Sequence, residues 1–574
     1  MKKISKKNSG AIIYDDQNRV LLQLRDNKPG ILFPDHYSFF GGVIEAGETS
    51  IQALKREIKE ELGVELEPYN FFKTFYYEFN NDVHEINIFI CHLNINPEQI
   101  RLGEGAGWNF FSKDELEKVN LGFNTREVLA EFFASRNDKM INYKIRQEKE
   151  GGYLFERKTG LAKKISQDLW PNFMEAVVAK NMSEIKNFEE ALAGINQEEL
   201  GSDIIAEKIK IFRKDVNLLP PDCLSAPARV YFELTRCCTL KCKTCFNESE
   251  KELASEMTTT EIKKIIDELE LLGTFEIRFT GGEPTTRPDF LEIISYAKSK
   301  GFYISLGTNG VYSDDKLKTI AHSGVDWFIV SLEGSETINN DIRGLGTYKI
   351  ITQTLDYLSK AKKRVRLNCV VAKYNLSAIP FLAKLCDTLK IESLNLIPLR
   401  PYGRFSIFLA DQMLSNYEFY QMIKLINRLK EKHRVKFVTT INLLAKDNLK
   451  NQDRIIRKEK ACAAGIEAAV ISPDGQMYGC SYSPASKANN EDDPGKDIFV
   501  AGNLRKTSLA DIWLDSRRWE VFRNTKKNKN NKCQSCDYYG KECVGSCPIM
   551  AYYETKKLNT MDPYCFVNYL FPKK

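Results

Sequence analysis

The sequence predicts a multidomain α/β protein, and three observations lead there. The chain has 574 residues, enough for three or four domains at roughly 100–200 residues each. Between residue 229 and about residue 440, six apolar strand candidates alternate with amphipathic helices. The strands begin near Val230, Phe275, Phe302, Asp326, Val365 and Ser393, a pattern of parallel β/α units. The 15 cysteines are clustered, four in Cys237–Cys245 and seven between Cys462 and Cys565, which sets a cysteine-dense tail apart.

Composition narrows the chemistry. At 43% hydrophobic and 28% charged, the chain resembles ordinary soluble globular proteins. A net charge of +6 is too mild over this length to argue for nucleic acid. The basic start, "MKKISKKNSGAIIYDD", holds an apolar run of only three residues, short of a signal peptide or a membrane span. A cytoplasmic protein without membrane or nucleic-acid partners is therefore expected. Stable disulfides are rare in that compartment, so the cysteines point to metal or catalysis.

Residues 1–138 form the first expected domain, strands and helices around "GVIEAGETSIQALKREIKEELGV" (42–64). Thr49 or Ser50 can cap a helix and Gly63 can end it, with Ile51, Leu54, Ile58 and Leu62 as its core face. Glu57, Glu60 and Glu61, at i, i+3 and i+4, crowd one side of that helix. Three such carboxylates repel unless a cation neutralises them, and a hard divalent ion such as Mg²⁺, bridging substrate phosphates, suits them. A solvated acidic face is the plain alternative. The spacing from Gly42 through Glu48 to Arg56-Glu57 and Glu60-Glu61-Leu62-Gly63 resembles the Nudix box at every defined position. That resemblance implies an α/β/α sandwich that hydrolyses a nucleoside diphosphate linked to another moiety. Glu57, Glu60 and Glu61 would hold the metal and Arg56 would orient the helix face. Glu48 would support the loop or assist the metal, and Glu104 is a candidate second-site carboxylate. A retained binding module without hydrolysis is the alternative.

Residues 139–217 open with a hairpin pattern turning at Gly151-Gly152 and Thr159-Gly160, and helical runs follow. Three strands and then helices resemble the small winged-helix, PqqD-like domain that grips a leader peptide as an added strand. A spacer, a dimerisation element or a DNA-binding wing would share the pattern, although "SEIKNFEEALAGINQEEL" is acidic. The Pro-rich "LLPPDCLSAPA" (218–228) reads as a linker.

Residues 229–445 carry the β/α series. Its first strand, "RVYFEL", runs into Cys238-x3-Cys242-x2-Cys245. A closed zinc site wants four ligands; three thiolates suit an iron–sulfur cubane with one iron left free. This spacing resembles the signature of the radical S-adenosylmethionine (SAM) enzymes. "TGGEPTTRPDF" (280–290), "GTNG" (307–310), "VSLEG" (330–334) and "RGLGTY" (343–348) match further elements of that family. The first three close the second, third and fourth strands, the end where β/α barrels gather their sites. The resemblance implies a partial (β/α)6 TIM barrel with a SAM-binding [4Fe–4S] cluster on Cys238, Cys242 and Cys245. It implies reductive cleavage of SAM to a 5′-deoxyadenosyl radical, fed by an external electron donor. Gly281, Gly282 and Glu283 would meet the SAM amino group, and Asn309, Ser331, Glu333 and Arg343 the ribose or carboxylate. In one departure, Thr244 stands where an aromatic is usual, which passes the adenine contact to Phe246.

In residues 446–574, Cys462-x12-Gly475-x4-Cys480 precedes Cys533-x2-Cys536-x6-Cys543-x3-Cys547 and Cys565. This resembles the SPASM extension with two auxiliary [4Fe–4S] clusters. Cys533, Cys536, Cys543 and Cys565 would ligate one cluster, and Cys462, Cys480 and Cys547 the other. The middle gap is one residue longer than usual, and a zinc ribbon is the plain alternative. Cys91, Cys223, Cys369 and Cys386 read as core or linker residues. The favoured expectation is a radical SAM/SPASM maturase of a ribosomally made peptide or protein, fused to a Nudix hydrolase for a nucleotide-type small molecule. A radical enzyme of small, nucleotide-linked metabolites is a second reading, and a Nudix sensor with a zinc tail a third.

Overall fold

The computed structural model describes residues 4–15, 19–66, 69–79, 82–93, 99–113, 115–136, 142–178, 209–212, 215–400, 402–439, 462–483, 498–523, 547–558, 560 and 564–565. The chain divides into two compact units, Met1–Lys139 and Met140–Lys574. Among the described residues, no helix is long and apolar enough to cross a membrane.

The first unit is a seven-stranded mixed sheet between two helices. Its strands are β1 (Ile4–Tyr14), β2 (Val20–Leu24), β3 (Tyr37–Ser38), β4 (Phe40–Val43), β5 (Tyr69–Phe79), β6 (Asp82–His92) and β7 (Gly107–Phe111). The order is β3-β2-β1-β6-β5, with β4 on β1 and β7 on β2, and β1 runs parallel to β6. Strand periodicity builds the layers: Ala11 and Ile13 pack with helix α1 (Ser50–Leu62), while Ile12 packs with helix α2 (Thr125–Arg136). In α1, Thr49 accepts from Gln52 N and the Gln52 side chain returns the bond, a capping box. Gly63 ends the helix at φ 65°, a conformation glycine adopts freely.

The second unit is built on a ten-stranded sheet with β12 (Arg229–Glu233), β13 (Glu276–Thr280), β14 (Tyr303–Thr308), β15 (Trp327–Ser331), β16 (Arg364–Val371), β17 (Ser393–Pro398) and β18 (Lys436–Thr439) parallel in that order. Each of the first six starts within one residue of its expected position. Between them lie α4 (Thr259–Leu272), α5 (Phe290–Ser299), α6 (Asp314–Ala321), α7 (Glu336–Arg343), α8 (Thr347–Lys360) and α9 (Ile379–Thr388). Val230, Phe232, Ile277, Phe279, Phe328 and Val330 pack with these helices in one continuous core.

Two features extend this partial barrel. From the tail, β19 (Ala468–Ile471) pairs parallel with β12, and β20 (Gln476–Tyr478) and β21 (Val500–Asn503) continue antiparallel. Before the barrel, β8 (Tyr143–Gln147), β9 (Gly152–Glu156) and β10 (Leu161–Ile165) form an antiparallel sheet, with β11 (Ile209–Phe212) parallel to β8 and α3 (Trp170–Val178) behind it. This segment is not set apart as a unit of its own. Arg146 donates to Gly273 O at 2.9 Å, Lys144 to Thr274 O at 3.1 Å, and Phe155 stacks on Phe275 at 4.8 Å. The helical runs expected at 179–208 lie outside the described residues.

Candidate active sites

The cysteine loop leaves β12 and is fastened from several sides. Glu256 Oε1 accepts from Arg236 N at 2.7 Å, Leu253 N at 3.0 Å and Thr235 Oγ1 at 3.1 Å. Lys243 N donates to Ile342 O at 2.9 Å, which ties the loop to the end of α7. Arg404, beyond β17, donates from its backbone to Cys245 O at 3.0 Å and from Nη1 to Cys242 O at 3.3 Å. Beside it, Gly403 lies so close that a Cβ would stand 2.5 Å from Cys245 O.

Within this frame Cys238, Cys242 and Cys245 share one electrostatic neighbourhood. Burial pushes the Cys238 thiol up to about 11, helped by Glu283 and by the Cys242 and Cys245 thiols. Burial also raises Cys242, against the opposing pull of Arg343. Thiols so placed resist ionisation until an electron-poor partner binds them, and iron is such a partner. Among the described residues no three Cys, His, Asp or Glu side chains converge as they would on a single metal ion. A cubane asks for something else, since each thiolate binds a different iron and the ligands ring a body. The soft, three-thiol donor set fits that group.

The Gly281-Gly282-Glu283 turn closes β13 directly against this loop. Gly282 N donates to Thr235 O at 2.7 Å and Glu283 N to Cys237 O at 2.8 Å. A Cβ on Gly282 would stand 2.1 Å from Cys237 O, and one on Gly281, at φ 138°, 2.4 Å from Thr235 O. The glycines are there for backbone approach. Glu283 is 1% exposed and accepts from Asn309 N at 2.7 Å, Thr285 Oγ1 at 2.8 Å and Thr308 Oγ1 at 3.0 Å. Burial raises its carboxyl while these donors lower it. Asn309 reaches Thr239 Oγ1 at 3.1 Å and Cys238 Sγ at 3.9 Å. Glu333 and Arg343 form a buried ion pair at 3.1 Å, with Val370 N on the second Glu333 oxygen at 2.8 Å. Arg343 Nε is buried without a hydrogen-bond partner. Ser331 ends β15 opposite Asn368. Phe246 packs on Tyr482 at 4.8 Å.

Of the tail cysteines, Cys533, Cys536 and Cys543 lie outside the described residues. Cys462, Cys480 and Cys547 all lie within reach of Arg400. Burial pushes the Cys480 thiol up to about 12, Arg400 opposes this, and the Cys462 and Cys547 thiols add to it. Cys565 follows Tyr564, whose hydroxyl donates to Leu399 O at the end of the barrel. Three thiols beside one half-buried cation again suit an iron–sulfur group. Sequence reading missed Arg400 and Arg404; lone arginines after a strand belong to no motif.

In the first unit, Arg56 holds Glu48 through two bonds, at 3.0 and 3.1 Å, and reaches Glu57 at 2.8 Å, Glu60 at 3.3 Å and Val43 O at 3.2 Å. It is the hub of the acidic face. Glu57 lies across Gly42, where a Cβ would stand 2.3 Å from its Oε1. Glu61 is 6% exposed and accepts from Gly41 N at 2.8 Å. Burial first, then Glu57 and Glu104, push its carboxyl up to about 8, while Gly41 and Gln23 hold it down. The structure thus gathers Glu57, Glu61 and Glu104 in one field, with Glu60 on its exposed rim. A divalent cation would relieve that field, so the chemistry of the donor set suits one, although among the described residues the side chains do not converge on a single ion.

The family model described as the Radical SAM superfamily matches residues 232–386, that of the NUDIX domain residues 5–132, and that of the SPASM iron-sulfur cluster-binding domain residues 462–537. The mycofactocin maturase MftC of Mycobacterium tuberculosis is 29% identical over 348 residues, covering 60% of this chain and 83% of that protein. The AdoMet-dependent heme synthase of Methanosarcina barkeri is 27% identical over 357 residues, 59% of this chain and 97% of that one. Streptococcus suis SuiB, solved bound to its precursor peptide SuiA, shares the fold at a TM-score of 0.55 and 18% identity, covering 73% of this chain and 97% of its own.

Proposed function

Starting from a radical SAM enzyme with an SPASM iron–sulfur domain and an N-terminal Nudix hydrolase domain, we propose that its radical chemistry modifies a ribosomally made peptide or protein. The observation that carries the radical reading is the Cys238, Cys242 and Cys245 neighbourhood, set between the Glu283–Asn309 and Glu333–Arg343 pairs at the ends of β13 to β15. A [4Fe–4S] cluster on these thiols, with bound SAM, would supply a 5′-deoxyadenosyl radical that takes hydrogen from the substrate.

The chain's own residues orient and enclose. Glu283 spends its oxygens on Thr285, Thr308 and Asn309, so it braces the turn and leaves the turn's backbone carbonyls to meet an ammonium group. Arg343, neutralised on one side by Glu333 and carrying an unpartnered Nε, offers a carboxylate a donor beside the cluster. Asn309 and Ser331 stand at the same strand ends for ribose hydroxyls. Phe246 offers an apolar face for adenine. In the tail, two auxiliary clusters would sit on Cys533, Cys536, Cys543 and Cys565, and on Cys462, Cys480 and Cys547.

Residues 139–217 supply the case for a peptide. We read β8–β11 with α3 as a winged-helix, PqqD-like element whose outer strand, β10 or β11 in the order β10-β9-β8-β11, accepts a leader as a further strand. Names of similar proteins support this: one is a maturase and another was solved with its precursor peptide. A similar heme synthase favours the second reading, a small-molecule substrate.

For the Nudix domain we propose pyrophosphate hydrolysis of a nucleoside diphosphate derivative. Mg²⁺ on Glu57, Glu60 and Glu61 would bind the diphosphate and activate water. Arg56 fixes the carboxylates' spread through Glu48, Glu57 and Glu60.

The test is incubation of the full chain, reconstituted without oxygen, with SAM, a strong reductant and short peptides encoded beside its gene. A peptide mass change matched by 5′-deoxyadenosine is expected. Turnover confined to small metabolites would transfer the proposal to the second reading.

A further inference from the structure

Among the described residues, the floor of the barrel carries more cations than acids. Along β12 to β16 every second side chain packs under the helices, so the intervening ones face the lumen. Among these are Arg229, Arg278 and, further along its strand, Arg366; Glu276 is the carboxylate in register with Arg229. Arg229 donates to one Glu276 oxygen and Arg278 Nη2 to the other at 3.0 Å, where Ser305 Oγ also donates at 2.6 Å. Higher in the lumen, Glu233 is matched by Arg236 at 3.1 Å; at the start of β16, Arg364 is matched by Glu392. Arg366 makes no ion pair among the described residues, although Glu276 and Glu392 lie within its field: its hydrogen bond is from Nε to Ser393 Oγ at 3.2 Å, and its guanidinium lies 4.1 Å from the Trp327 ring centre.

Two further observations point to a ligand. Arg278 Nε and Trp327 Nε1 are buried donors without a hydrogen-bond partner, and Arg278 is 9% exposed. The Arg229 side chain keeps 40% of its accessible surface although β12 is flanked on both sides by β13 and β19. Alternation with the buried Val230 places Arg229 on the lumen side of β12. Burial, then the charges of Arg278 and Arg229, push the Arg366 guanidinium down to about 9, which reflects repulsion among like charges in a poorly hydrated space. Arg278 also donates from Nη1 to Tyr231 OH at 3.4 Å; buried guanidinium groups with donors left over are costly, and their planar forks match carboxylates and phosphates.

We propose that the lumen floor is a binding site for an oxyanion, a carboxylate or a phosphate, held by Arg366 and Arg278 beside Trp327. It rests on and deepens the reading of the second unit as a radical enzyme, because it fixes the charge of what the barrel admits: an acidic group.

The test is thermal unfolding of the full-length reconstituted protein, titrated with inorganic phosphate or succinate at constant ionic strength in chloride. A saturable rise in Tm is expected for the wild type, and the anion that produces it tells phosphate from carboxylate. Arg366→Met should abolish the rise while leaving Tm in chloride unchanged or higher, since it removes an unmatched cation. Arg366→Lys, which keeps the charge and loses the fork, should need several-fold more anion and decides the matter if the methionine variant does not fold. Equal responses in wild type and variants, no response in the wild type, or a lower Tm for Arg366→Met in chloride would overturn the site. The titration needs no turnover. A protein that cleaves SAM but ignores both anions sinks the anion site alone; one that responds to anion but releases no deoxyadenosine sinks the radical reading alone.

Discussion

At the residue scale, backbone proximity at Gly282 carries the most information. The sequence shows a Gly-Gly-Glu turn but not why the second glycine is required. The structure answers with Cys237 O, 2.1 Å from where a Cβ would go. Gly282→Ala should therefore displace the cysteine loop. The expected result is loss of most iron bound at that loop and of deoxyadenosine release, with pyrophosphate hydrolysis intact, measured on the same preparation. Glu333 and Arg343 teach a related lesson. Both stand out in sequence as candidate cofactor contacts, yet they bind each other at 3.1 Å, a relation that spacing does not reveal. Arg343→Met would strand Glu333 in the interior and should cost about 3–5 kcal/mol, read as a fall in the urea midpoint of the second unit. Replacing both residues by apolar ones should recover most of that loss.

At the scale of elements, strands β12 to β17 were legible because each apolar run is followed by an amphipathic helix. Helix α1 was legible to its caps, Thr49 and Gly63. The pairing of β19 with β12 was not: "AAVI" is a short apolar run inside a cysteine-dense tail, and its partner lies far away in sequence. Nor does periodicity tell that the segment before the barrel belongs to the barrel's unit. Lys144 shows what that costs. It is 1% exposed, beneath Thr274 O and the Phe302 ring, and burial pushes its ammonium down to about 7. Glu270 opposes that fall, and Lys210, Arg157 and Arg146 add to it. An unfolded lysine titrates near 10.4. Between about pH 7 and pH 10 the unfolded chain therefore holds the extra proton, and stability should rise with pH. Below about pH 7 the charged side chain imposes its full penalty. Lys144→Met should flatten the Tm–pH profile in that window and leave Tm at pH 7 unchanged or higher.

At the scale of the whole molecule, two candidate centres are gathered in two units by different means. The acidic helix face is largely local, within one helix and the loop before it, so spacing alone could nominate its candidates apart from Glu104. The candidate radical site draws on the ends of several strands, so motifs nominate its members while only the fold shows how Glu283 and Asn309, and Glu333 and Arg343, are tied together. The lumen charges of Arg229, Arg278 and Arg366 stayed hidden, because they sit between apolar neighbours in strands whose motifs lie at the other end. If the centres are chemically independent, Cys242→Ala should abolish reductive SAM cleavage and spare pyrophosphate hydrolysis, and Glu60→Gln should do the reverse. Loss of both activities in either folded variant would mean that one centre depends on the other.

The central claim is a thiolate-held, SAM-cleaving centre at the end of β12. The most direct measurement is 5′-deoxyadenosine released by the oxygen-free, iron-loaded full chain given SAM and a strong reductant. The predicted result is release from the wild type and none from Cys238→Ala, Cys242→Ala or Cys245→Ala. No release from an iron-loaded wild type, or undiminished release from all three variants, would contradict it.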